Sequence, residues 1–80
     1  MYRLKYDATA EAVHDALPTG PSEALTVALA DACHDPLGAT MAYGEADDVM
    51  RTVRTNHAHA VLLVGHTLKT ITVLQISYLG

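Results

Sequence analysis

The sequence predicts an α+β domain of element order βααβββ, a small antiparallel sheet with a helical hairpin packed on one face. Three observations carry this reading. From Asp48 to Tyr78 the chain holds three short runs rich in Val, Ile, Leu and Thr, uninterrupted by Pro. The runs are separated by polar breaks at Thr55-Asn56-His57 and at Gly65-His66-Thr67-Leu68-Lys69, the pattern of a three-stranded antiparallel meander. Upstream, two segments place apolar residues at the 3, 4, 7 spacing of amphipathic helices.

The elements follow in order. Tyr2-Arg-Leu-Lys-Tyr6 alternates with the period of a half-buried strand, which turns Tyr2, Leu4 and Tyr6 to the core and Arg3 and Lys5 outward. Asp7 offers a carboxylate to cap a helix over 8–17, with Ala10, Val13, His14 and Leu17 on one face. Pro18 to Pro21 is a tight break. A second helix is expected over 21–34, with Pro21 at its first position and Glu23 in its first turn. Leu25, Ala28, Leu29, Ala32 and Cys33 form its apolar stripe, and Asp35-Pro36-Leu37-Gly38 ends it. Residues 39–47 read as a loop. Ala60 to Val64 is apolar on both faces and so is expected as a central strand. The last run, Thr70 to Tyr78, alternates less cleanly, because Leu74 and Ile76 flank Gln75.

Eighty residues make one domain, expected over 1–80. Half of them are apolar, but there is no Phe and no Trp. A core of Ala, Val, Leu and Ile buries little area per side chain, so a stabilising protein partner is expected. Nine Asp and Glu against five Lys and Arg leave a net charge of −4, which argues against binding nucleic acid through a broad basic surface. Cys33 is the single cysteine, so neither a disulfide framework nor a cysteine zinc site is expected, and its helical setting suggests a small buried hydrophobe. Neither a signal peptide nor a membrane span is recognisable, which points to the cytoplasm. No cofactor and no metal are expected. His57 and His59 share a strand face, but two ligands at that spacing are a weak metal signal.

His34-Asp35-Pro36-Leu37, Met50-Arg51-Thr52-Val53-Arg54, Ala60-Val-Leu-Leu-Val64 and Thr72-Val-Leu-Gln-Ile-Ser77 together resemble the RelE/ParE toxin superfamily of type II toxin–antitoxin systems. The resemblance covers nearly the whole chain, and its Ala-rich style is similar to actinobacterial members. It implies a RelE-like messenger RNA interferase: a metal-independent endoribonuclease that acts on the ribosome and inhibits translation and growth. It also implies a cognate antitoxin held in a hetero-oligomeric complex. The alternatives are a ParE-like, non-enzymatic inhibitor of DNA gyrase, or a degenerate toxin that only binds its antitoxin.

The chemistry of the first reading needs a base for the ribose 2′-hydroxyl proton, an acid for the leaving 5′-oxygen and a cation for the phosphoryl oxygens. The resemblance assigns these roles to Arg51, Arg54, His57, His59 and Tyr78, histidine being the residue type that serves as acid or base near neutral pH. Met50 and Thr52 stand where RelE-like members carry lysines. Arg51 and Arg54 differ by three, so a regular strand sends them to opposite faces. One of them is expected to pair with Glu45, Asp47 or Asp48.

Overall fold

The computed structural model describes residues 1–45 and 47–80. Strand β1 (Arg3–Tyr6) leads into helices α1 (Ala8–Ala16) and α2 (Thr19–His34), followed by β2 (Met41–Ala42), β3 (Met50–Arg54), β4 (Ala58–Gly65) and β5 (Thr70–Tyr78). The strands form one sheet in the order β1-β5-β4-β3-β2. The expected meander is β3-β4-β5. Two features go beyond the expected small antiparallel sheet. Strand β1 pairs with β5 in parallel, Leu4 opposite Ile71 and Tyr6 opposite Val73, so the sheet is mixed. A two-residue strand, β2, adds an edge inside the segment expected to be loop, Met41 opposite Thr52.

Asp7 caps α1 as expected, its carboxylate accepting the Thr9 amide at 3.1 Å. Helix α2 starts two residues earlier than the sequence suggested. Its cap is Pro18, whose carbonyl accepts from the Ser22 amide at 2.9 Å. Pro21 therefore lies within the first turn rather than at its first position, and Glu23 falls just beyond that turn. A proline is tolerated there because first-turn amides have no intrahelical partner to lose. At the far end the Asp35 carboxylate accepts the Gly38 amide at 3.1 Å. A side chain at position 38 would run into that carboxylate, so the Asp35 side chain would have to turn away and give up the bond.

Both helices cover one face of the sheet. Ala10 of α1 and Leu25, Leu29, Ala32 and Cys33 of α2 pack on Val53, Ala60, Leu62, Val64, Ile71, Val73 and Ile76. Tyr2, Leu4 and Tyr6 pack at the margin of this core, as the alternation of β1 suggested. Val73 and Ile76 are three residues apart, yet both face the helices. A bulge in β5 explains this: Val61 pairs with Gln75 and Leu62 with Val73, which leaves Leu74 as the extra residue. Burial holds the Cys33 thiol pKa above its ordinary value, as suits a packed cysteine.

The turn into β3 is held by Asp47. Its carboxylate accepts the amides of Val49 and Met50, the latter at 3.0 Å. These two bonds, and more weakly Arg51, hold its pKa below the ordinary 3.8. A group whose folded pKa is depressed contributes stability above its unfolded pKa and loses it as pH falls through the folded value. Asp47→Ala is therefore expected to melt below the parent at neutral pH, the gap closing as pH falls below about 3.8. Thermal melts of both proteins between pH 7 and pH 2 check this; a gap that persists at pH 2 would place the role of Asp47 elsewhere.

Candidate nucleic-acid interface

The sheet's second face is not covered by the helices. Register assigns its residues: Lys5 pairs with Thr72, Thr72 with Leu63, and Leu63 with Met50. The next row is Gln75, Val61, Thr52 and Met41, and the last is Ser77, His59 and Arg54. Arg3 and Lys5 stand at one corner, Arg54 and His59 at the diagonal one. Arg3, Lys5 and Arg54 are exposed, and His59 and Ser77 are half-buried.

Charge divides sharply between elements. Four of the five Lys and Arg residues lie in strands, Arg3 and Lys5 in β1 and Arg51 and Arg54 in β3. All nine carboxylates lie elsewhere: Asp7, Glu11, Asp15, Glu23, Asp31 and Asp35 in helices and their caps, Glu45, Asp47 and Asp48 in the segment before β3. The net charge of −4 thus belongs to the helical side and that segment, while the strand residues of the open face include cations and no carboxylate. A polyanion meets the local potential, not the sum.

The five sequence-predicted site residues do not converge. Arg54 and His59 are direct cross-strand neighbours on the open face, with Ser77 beside His59. His57 lies in the turn before β4, its Nδ1 3.0 Å from the Gly80 carbonyl oxygen. Tyr78 pairs with Ala58 on the helical face and lines a cleft of about 380 Å³ with Val13 and Ala16 of α1 and Leu17, which caps that helix. Arg51 also faces the helical side, opposite Leu62. The expected split between Arg51 and Arg54 is present.

Arg51 closes the segment between α2 and β3. Its Nε donates to Thr40 Oγ1 at 2.9 Å, Nη1 to the Asp47 carbonyl at 3.0 Å, and Nη2 to the carbonyls of Thr40 at 2.9 Å and Leu37 at 3.4 Å. The Thr40 hydroxyl in turn donates to the Pro36 carbonyl. The acceptors are thus main-chain carbonyls and a hydroxyl, where the sequence suggested a carboxylate of Glu45, Asp47 or Asp48. Arg51→Met keeps the stem but removes every donor. We expect it to cost roughly 1–3 kcal/mol and to raise amide exchange across 37–47. Melting and hydrogen exchange read both effects; unchanged exchange there would remove the strut from the account.

Two histidines serve as struts elsewhere. Tyr6 donates its hydroxyl to His14 Nδ1 at 2.9 Å, while His14 Nε2 approaches Thr26 Oγ1 at 3.2 Å and the Ser22 carbonyl at 3.4 Å. A carbonyl only accepts, so the proton sits on Nε2. Burial first, then Asp15, Glu11 and Cys33, raise the Tyr6 pKa, which keeps the phenol a donor. His66 joins three segments: its Nδ1 lies 3.0 Å from the Tyr2 hydroxyl and its Nε2 2.7 Å from the Asp48 carbonyl.

Arg3, Lys5 and Ser77 are the open-face residues that sequence reasoning left out of the site. The alternation in β1 pointed Arg3 and Lys5 away from the core. Only the pairing of β1 with β5 puts them on the same surface as Arg54.

No protein-family model and no curated protein sequence matches this chain. Solved structures do. The isolated RelE toxin of E. coli matches 100% of this chain and 86% of its own, with a TM-score of 0.84 and 18% identity. The intact E. coli RelBE toxin–antitoxin complex matches over 98% of this chain and 96% of that one, with a TM-score of 0.80 and 20% identity. The RelBE2 toxin–antitoxin complex of Mycobacterium tuberculosis matches over 96% of each chain, with a TM-score of 0.80 and 16% identity. The chain has the fold of the RelE toxins.

Proposed function

We propose that this protein is the toxin of a toxin–antitoxin pair and that it cleaves messenger RNA on the ribosome. The observation that supports this best is the open face: cationic at two corners, with no carboxylate among its strand residues, and carrying a histidine beside an arginine in a fold shared with RelE. The antitoxin partner rests on the RelBE and RelBE2 complexes among the structures it resembles.

In this reading Arg54 stabilises the charge that develops on the phosphoryl oxygens. His59, its cross-strand neighbour, handles a proton. The 2′-oxygen attacks phosphorus while its proton passes to a base, and the P–O5′ bond breaks as the 5′-oxygen takes a proton. The products are a 2′,3′-cyclic phosphate and a 5′-hydroxyl. Tyr78, Arg51 and His57 stand off this face, so the proposal rests on Arg54 and His59, with Arg3 and Lys5 tracking the backbone.

The test is messenger RNA integrity in a bacterial cell-free translation reaction, with and without the protein, and with ribosomes omitted. Cuts that require ribosomes are the expected result. An intact message together with blocked supercoiling by DNA gyrase would establish the gyrase reading in its place. An intact message with neither effect would leave a protein that only binds its antitoxin.

A further inference from the structure

Arg54 and His59 form the last pair of the β3–β4 ladder, and that pair exchanges no main-chain bond. An antiparallel ladder alternates hydrogen-bonded pairs with non-bonded ones. At the turn, the Thr55 amide donates to the Ala58 carbonyl at 2.8 Å; at the far end, the Val64 amide donates to the Val49 carbonyl at 2.8 Å. Counted from either end, Arg54 and His59 fall on a non-bonded pair, the class with the closer side chains. Their spacing is therefore set by the pairs beside them, Val53 with Ala60 and Thr55 with Ala58.

The pair at the turn is closed by a side chain. A regular ladder would send the Ala58 amide to the Thr55 carbonyl, but here it donates to the Thr55 hydroxyl oxygen at 3.1 Å. The same oxygen accepts the His57 amide at 3.3 Å, and the hydroxyl donates to the Ala58 carbonyl at 3.3 Å. Its one donor and two acceptor sites are all used within the turn. Tight hairpins favour positive φ at their central residues, and neither Asn56 nor His57 has it, so the hydroxyl closes a turn that the main chain alone closes poorly. Ala58 is fully buried, which keeps water from replacing the hydroxyl at its amide.

We infer that Thr55 is a positioning residue, whose hydroxyl sets the spacing at which Arg54 and His59 meet the scissile phosphate. The inference rests on the ribosome-dependent cleavage proposed above. A cation and a proton-transfer group that act on one phosphate must be held closely in place, since a misplacement of about 1 Å costs on the order of 10²-fold in rate.

The test is single-turnover cleavage on stalled ribosomes over a range of protein concentrations, with the folded state of each variant checked by circular dichroism. T55V keeps the shape of the side chain and removes the hydroxyl. Its rate at saturation is expected to fall about 10- to 100-fold, with the half-saturating concentration unchanged. T55S keeps the hydroxyl and is expected to stay within about threefold of the parent. In an R54A background no pair is left to register, so T55V is expected to cost less than about threefold more. The same cost in both backgrounds would mean that Thr55 acts only through the fold, and would overturn the inference. Equal cleavage by the parent and T55V would overturn it too, while the ribosome-dependent reading stands. A folded parent that cuts nothing would remove that reading and the inference together. Hydrogen exchange in the parent probes the turn without any variant: the Ala58 amide is expected to exchange at least about a hundredfold more slowly than that of exposed Asn56, and equal rates would overturn the role of the hydroxyl.

Discussion

The double variant R54A/H59A is expected to lose ribosome-dependent cleavage by a factor of about 10²–10⁴ while keeping its melting temperature. The size follows from the roles. Removing one preorganised charge from the developing phosphoryl oxygens costs on the order of 10²–10³, and removing a proton-transfer group costs a similar factor. Groups that act on one phosphate as a unit are not additive, so the double loss is expected to lie near the larger single one. Neither residue supports the fold. Arg54 is exposed at the end of β3, and His59 is half-buried on the uncovered face. Single-turnover cleavage on stalled ribosomes measures the loss. Full activity in the folded double variant would sink the assignment of this corner and return attention to Tyr78 and the far side of the sheet.

Leu62→Ala carries the largest expected effect on stability. Leu62 is fully buried in the middle of β4, among Leu25 and Leu29 of α2 and Val73 of β5. Truncating such a leucine costs about 2–5 kcal/mol, the transfer term plus the cavity left behind. For 80 residues, at roughly 0.05–0.15 kcal/mol each, total stability is on the order of 4–12 kcal/mol. One substitution thus brings the free chain close to unfolding at growth temperature. Leu63, one residue on, points to the open face, and Leu63→Ala is expected to change stability by no more than about 0.5 kcal/mol. Denaturant melts of the pair give the contrast directly. Equal losses at 62 and 63 would mean that the two faces of β4 are not as different as their burial says. In the toxin–antitoxin reading, bound antitoxin restores Leu62→Ala by mass action, so its deficit is expected to shrink as partner concentration rises.

Much of this architecture was legible in the residues, and the places where it was not have physical causes. Local signals located both helices, the meander and the core stripe, because each depends on neighbours a few residues apart. The start of α2 is hidden because Thr19 and Gly20, between two prolines, look like a break. The fold instead uses Pro18 as the cap and puts Pro21 where its missing amide does no harm. The uneven alternation of β5 was visible, but its cause, a bulge that leaves Leu74 unpaired, is a property of two strands together. The same is true of the site. Separation by three residues assigned Arg51 and Arg54 to opposite faces, but no local pattern shows that β1 joins β5 and completes the cationic surface. Net charge is silent for a related reason, since a sum does not record that the carboxylates are confined to the helices, their caps and the segment before β3.

The parallel pairing of β1 with β5 bears on when the protein comes to life during its own synthesis. Strand β1 must wait for β5, about 65 residues later, because Arg3–Tyr6 finds its hydrogen-bonding edge on Thr70–Val73. Long-range closures of this kind come late in folding, since the chain between them must be ordered before they reward it. A nascent copy whose β5 has not yet emerged therefore lacks the Arg3–Lys5 corner of its open face. In the proposed reading, the RNA-binding surface is complete only once β5 has been made and has docked beside β1.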